Sequence, residues 1–241
     1  MLCFEWWVFE LLAIFSGLMS VEALAAEVVI VNLVTFIFMF PLGTSYAASA
    51  LTGVFLGEGK IESAKKYARL TLLFNVFVTI VIIVVLLTAH RGIAHLFTHD
   101  AKVVGIIDDV LGMLVLYVFF DTIHGVQSGI IRGLGLQVYG AIWTLICYYP
   151  IGLTLALCFA FKRGMGVYGL WLGFAIACIV LDIGLLVICE CANWSDIARD
   201  IQKNIDGTQK KKIEDASEHL SNEDYAGAAV ARTPEGRRFI R

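Results

Sequence analysis

The residues in this chain that could do chemistry are carboxylates placed where carboxylates are expensive. Asp121 stands between the strings LVLYVFF and TIHGVQSGII. A carboxylate at the centre of a bilayer costs about 2.5–3.5 kcal/mol even on a lenient insertion scale, so a functional role is the first expectation. Glu5 and Glu10 fall in CFEWWVFE. Five helical steps set them ~140° apart, so both cannot squarely face one cavity. Asp182 is a weaker candidate that reads as a hydrogen-bonding partner of a neighbouring helix. Asp108 and Asp109 mark an interface, and Asn32 reads as an interhelical hydrogen bond. His124 follows Asp121 by three residues and shares its helix face. Two ligands do not make a metal site, so His124 reads as bonded to Asp121 or as a satisfied core histidine. A carboxyl group in low dielectric favours its neutral form. It can take a proton on one side of a membrane and lose it on the other as its surroundings change. Glu5 and Asp121, facing one polar cavity, could thus exchange protons for a cation. The aromatic residues Trp6, Trp7, Phe9, Tyr148 and Tyr149 could offer cation–π contacts to an organic cation.

The composition says what must position these groups. Of 241 residues 59% are hydrophobic and 16% charged, against about 45–50% and about 25% in soluble domains. A disordered chain is excluded and a soluble enzyme disfavoured. The net charge of −3 offers no basic surface for nucleic acid. Six scattered cysteines form neither a disulfide framework nor a zinc pattern. No G-x-S-x-G, P-loop or H-E-x-x-H motif occurs. No enzyme, cofactor or metal site is therefore expected, and any pumping must draw on an ion gradient. Three prolines in the whole chain fit long helices.

Six stretches are apolar and long enough to span ~30 Å of hydrocarbon as helices: roughly 1–20, 28–52, 70–89, 110–131, 138–161 and 167–191. The first carries two glutamates and lacks a basic start, so it is not a signal peptide. An all-α, polytopic membrane region over 1–193 is expected, followed by a solvated tail over 194–241. In the tail, Trp194, Ile197, Ile201 and Ile205 recur at the spacing of a short amphipathic interfacial helix. Lys210–Lys212 could touch anionic lipid. The tail side collects fourteen Lys and Arg and the other side four, which predicts that both termini are cytoplasmic. Small residues four apart predict close helix packing: Ser45, Ser49, Gly53 and Gly57; Gly125, Gly129 and Gly133; Gly169, Gly173 and Ala177. Pro41 predicts a kink in the second span.

Several motifs occur in a fixed order: CFEWWVFE (3–10), PLGTSYAASALTGVFLGEGKIESAKKYA (41–68), LFTHD (96–100), RGLGLQVYGA (132–141), YYPIGL (148–153) and GVYGLWLG (166–173). Over residues 3 to about 194 the chain resembles the C-terminal half of the eukaryotic multidrug and toxic compound extrusion family. The resemblance implies one six-helix lobe of a two-lobe antiporter that exports organic cations or xenobiotics in exchange for protons or sodium, the lobes rocking against each other. It sets the E-W-W glutamate on Glu5 and the acidic residue eleven positions before R-G-x-G on Asp121. Both imply proton or cation coupling, with Glu10 as a second acidic position. Trp7, Tyr148, Tyr149 and Asn32 are the substrate-cavity candidates. Animal relatives often carry a glutamate where this chain has Asn32, so its pattern is closer to that of plants. The missing N-terminal lobe implies a chain that continues upstream, or a half-size one that is inactive alone or must pair with a second lobe or a second copy. A lipid flippase of similar design is the remaining alternative.

Overall fold

The computed structural model describes residues 2–204, 207–208 and 212. Six helices follow in order: α1 (Leu2–Met19), α2 (Val21–Gly57), α3 (Ile61–Phe97), α4 (Ala101–Gly133), α5 (Gln137–Lys162) and α6 (Gly166–Cys191). Their connections are short, which makes successive helices antiparallel neighbours. Each break has a local cause. Ser20 ends α1 and caps α2, its hydroxyl accepting from the Ala23 amide at 3.0 Å. Asp100 caps α4 by accepting from the Lys102 amide at 2.8 Å. Gly59 and Gly135 turn the chain between α2 and α3 and between α4 and α5 at φ 71° and 76°, a region that favours glycine.

By length and composition five of these helices can cross a membrane, from α2 to α6. The sequence predicts six spans. The difference lies in α1, whose 18 residues include Glu5 and Glu10 and rise only ~27 Å. α2 runs on as helix past Pro41. α5 holds two wide π-type turns, Cys147–Leu153 and Cys158–Lys162. The first contains Pro150, which has no amide hydrogen to give the regular ladder.

α4 is the axis of the lobe. It packs against α2, α3 and α6, and from Thr122 to Ile131 every residue but Ile123 is buried. Its glycines make this possible. A Cβ on Gly129 would strike the Ser45 carbonyl, and one on Gly133 would come within 2.7 Å of the Ser49 carbonyl. The small stripes predicted on α2 and α4 therefore face each other. Gly169 and Gly173 of α6 meet the backbone of Ala160 and Ala156 on α5 in the same way. Beside these seams a core of Tyr117, Tyr148, Trp171 and Phe174 fills the centre, each at most 1% exposed.

Residues 194–204 form a further helical segment. Trp194, Ile197, Ala198 and Ile201 turn to a cluster with Leu56, Ala64 and Ala68 at the end of the lobe. The apolar face expected to lie on lipid is thus spent largely on the protein. Ile205, Lys210 and Lys211 lie outside the described residues.

Candidate functional site

Glu5 of α1 and Asp121 of α4 meet in the interior, 3% and 2% exposed. Their carboxyl groups interact directly with each other. Each also has an aromatic hydroxyl as donor. Tyr117, one helical turn before Asp121, donates to Asp121 Oδ1 at 3.0 Å. Tyr148 donates to Glu5 Oε1 across a longer 3.4 Å. Successive residues of a helix point about 100° apart, so the two neighbouring tyrosines of α5 diverge. Tyr148 enters the core and stacks on Phe174, whereas Tyr149 reaches the Phe4 carbonyl at 3.2 Å.

His124 does not bond Asp121, although the two share a helix face. Its Nε2 stands 3.7 Å from Glu5 Oε2, and its Nδ1 lies 3.4 Å from Ser128 Oγ. A narrow cleft of about 10 Å³ continues from Glu5 past His124, Ser128 and Ser45 to Arg132. That volume suits one water-sized occupant. Arg132 closes the strip by donating to Ser45 Oγ at 2.8 Å, with Tyr46 under its guanidinium. A polar track therefore leads from the tail-side end of α4 to the carboxyl pair.

The other sequence candidates lie elsewhere. Trp7 is 73% exposed, and Glu10 and Asn32 are also on the outer surface. The Asn32 amide donates to the Val28 carbonyl of its own helix at 2.7 Å, so it makes no interhelical bond. Trp7, Tyr148 and Tyr149 consequently do not line one pocket within this lobe. Asp182 is buried on α6 within electrostatic reach of Asp121, but neither of its carboxyl oxygens has a hydrogen-bond partner. Asp108 lies 3.5 Å from His90.

Two groups escaped the sequence reading. Glu27 is fully buried and accepts from Trp171 Nε1 at 3.0 Å. Trp171 in turn packs edge-on against Tyr117, with ring centres 5.1 Å apart. The predicted second span begins at residue 28, which left Glu27 just outside it; α2 begins at Val21 and draws it in. The second is Asn75 of α3, whose amide donates to the Thr122 carbonyl at 2.9 Å, while Thr79 bonds the Thr122 hydroxyl. This polar knot fastens α3 to α4 beside Asp121. Uncharged amides and hydroxyls in an apolar run give little signal in a sequence.

Long apolar helices packed about a buried carboxyl pair define a polytopic, all-α membrane protein. Residues 1–158 match the MatE family model, and the chain belongs to that family, whose members are transporters and not enzymes. It is 32% identical over 222 residues to multidrug and toxin extrusion protein 1 of Danio rerio, covering 92% of this chain and 38% of that one. The human protein of that name is 31% identical over 202 residues, covering 84% and 35%. Among solved structures, the eukaryotic MATE transporter AtDTX14 superposes with a TM-score of 0.81 at 28% identity, over 84% of this chain and 46% of that one. The chain thus spans little more than a third of the curated relatives it matches.

Proposed function

We propose that this chain forms one lobe of a secondary active exporter of organic cations, in which Glu5 and Asp121 carry the exchanged proton. The observation that carries the reading is the meeting of these two carboxyls, from helices far apart in sequence, inside the lobe. Two carboxyls in contact need a positive charge between them, and a proton or a cation can supply it. That makes the pair an exchange site. The adjoining cleft of about 10 Å³ admits water but no organic cation, so this lobe alone handles the small ion. We assign the proton that role, with sodium as the competitor to be tested.

The organic substrate binds where this lobe faces a second one, supplied by the same polypeptide or by a second copy. Trp7 and Glu10 stand on one exposed face of α1, and Asn32 is exposed on α2. A glutamate facing lipid at that depth would cost about 2.5–3.5 kcal/mol, so a water-filled interface between lobes is the environment that fits Glu10. Both termini lie on the cytoplasmic side. The basic residues Lys60, Lys65, Lys66, Arg69 and Arg132 collect at the same end as the tail, which supports that orientation.

The test is transport of a radiolabelled tetraalkylammonium ion into vesicles holding the two-lobe assembly, driven by a pH gradient. Asp121→Asn and Glu5→Gln should each abolish uptake while leaving helicity intact. Full pH-driven uptake by Asp121→Asn would refute the assignment, and uptake driven by a sodium gradient alone would replace the proton.

A further inference from the structure

Away from the carboxyl pair, at the tail-side end of the lobe, a groove of about 240 Å³ opens between α3 and the end of α6. α4 contributes Gln127 and Ile130 to its lining, and the buried Trp194 lines it as well. The lining changes character along α3. Along α3, Lys65 and Arg69 come before Leu72 from the helix start, Asn193 and Ser195 add polar groups, and Ile130 and Leu186 add apolar surface. Leu72 is ~16 Å along α3 from Ile61. The α3 wall of the groove therefore runs from headgroup level toward the hydrocarbon.

Three polar features of this groove point to a ligand. Lys65 and Arg69 both line it, and among the described residues neither forms an ion pair; Lys65 rests 5.9 Å above the Trp194 ring. The side-chain carbonyl oxygen of Gln127, a residue 4% exposed, has no hydrogen-bond partner. Glu190 adds one carboxylate at the exposed rim. A buried acceptor without a donor is costly, and two free cations beside it ask for an anion. A ligand that answers all three carries a phosphate, a primary ammonium with N–H donors, and an apolar body.

We propose that this groove binds an aminophospholipid of the tail-side leaflet. The phosphate sits on Lys65 and Arg69, where charge-assisted hydrogen bonds are strong. The ammonium donates to Gln127 and Glu190, and an acyl chain follows Leu72, Ile130 and Leu186. A choline headgroup has no N–H to give and a glycerol headgroup has no cation, so both fit less well. This inference does not depend on the transport reading.

The experiment equilibrates the purified full chain in detergent with mixed vesicles of phosphatidylcholine, phosphatidylethanolamine, phosphatidylserine and phosphatidylglycerol, then reads retained lipid by native mass spectrometry. The two aminophospholipids should be retained about tenfold over the other two, the worth of one charge-assisted hydrogen bond. The surface variant K65Q/R69Q should abolish retention, while K66Q, exposed beside them but outside the groove, should not. Gln127→Leu should erase the preference over phosphatidylglycerol. Because Gln127 is buried, Glu190→Gln at the exposed rim provides the same readout if that variant does not fold. Equal retention of phosphatidylcholine or phosphatidylglycerol, or unchanged retention by K65Q/R69Q, overturns the proposal. So does displacement by equimolar glycerophosphoethanolamine, which would assign the site to a soluble headgroup compound.

Discussion

Tyr117 and Trp171 support two of the interior carboxyls, Asp121 and Glu27. Each gives one hydrogen bond to a carboxyl, Tyr117 to Asp121 and Trp171 to Glu27, and the two rings pack against each other. Removing one donor leaves a buried acceptor short of a partner. Tyr117→Phe should therefore lower stability by about 1 kcal/mol and slow transport, read by thermal unfolding in detergent and by initial uptake rate. An unchanged melting temperature would show that the bond contributes nothing. At Glu27 two substitutions separate shape from charge. Glu27→Gln keeps an acceptor for Trp171 and should fold normally, whereas Glu27→Ala strands the indole N–H and should cost about 1–3 kcal/mol. Melting curves of the two variants test this directly, and equal losses would contradict it. Asp121 was legible in the sequence because a charge in a long apolar run has few structural explanations. Its donor was not, since tyrosines are common in membrane helices and only the fold shows which one faces a carboxyl.

Among the helices, α4 holds the arrangement together because its glycines let α2 approach to backbone contact. A side chain at Gly129 has no room against the Ser45 carbonyl. Gly129→Leu should destabilise the lobe by about 1–3 kcal/mol through overpacking, with loss of helical signal at a lower temperature. Gly105, also on α4, would meet no atom within 4 Å, and Gly105→Ala should be tolerated. If both variants melt like the parent, the seam is not tight. The small-residue stripes were legible because their spacing repeats every four residues and only helix packing asks for that pattern. Helix ends were less legible. Hydropathy marks where the hydrocarbon begins, but α2 and α3 extend well past the apolar runs that mark them. Glu27 was lost at such a margin. The π-type turns of α5 left no sequence signal beyond Pro150.

For the whole molecule, the outer faces decide whether a second lobe is present. Glu10 and Asn32 are exposed on this lobe and should line water between lobes, whereas Phe77 is exposed on α3 and should face lipid. With the native cysteines replaced, Glu10→Cys and Asn32→Cys should react with a membrane-impermeant thiol reagent, and Phe77→Cys should not. Equal labelling at all three positions would remove the argument for an aqueous interface. The two-lobe design entered through family resemblance, since one lobe's sequence carries no mark of its partner beyond an exposed charge. The central claim is that Glu5 and Asp121 hold the proton that substrate displaces. It is tested most directly by adding a saturating organic cation to the transport-competent assembly in weakly buffered solution and recording proton release with a pH-sensitive dye. The parent protein should release protons on substrate addition, and the Glu5→Gln/Asp121→Asn variant should release none. Undiminished release from that double variant would contradict the account.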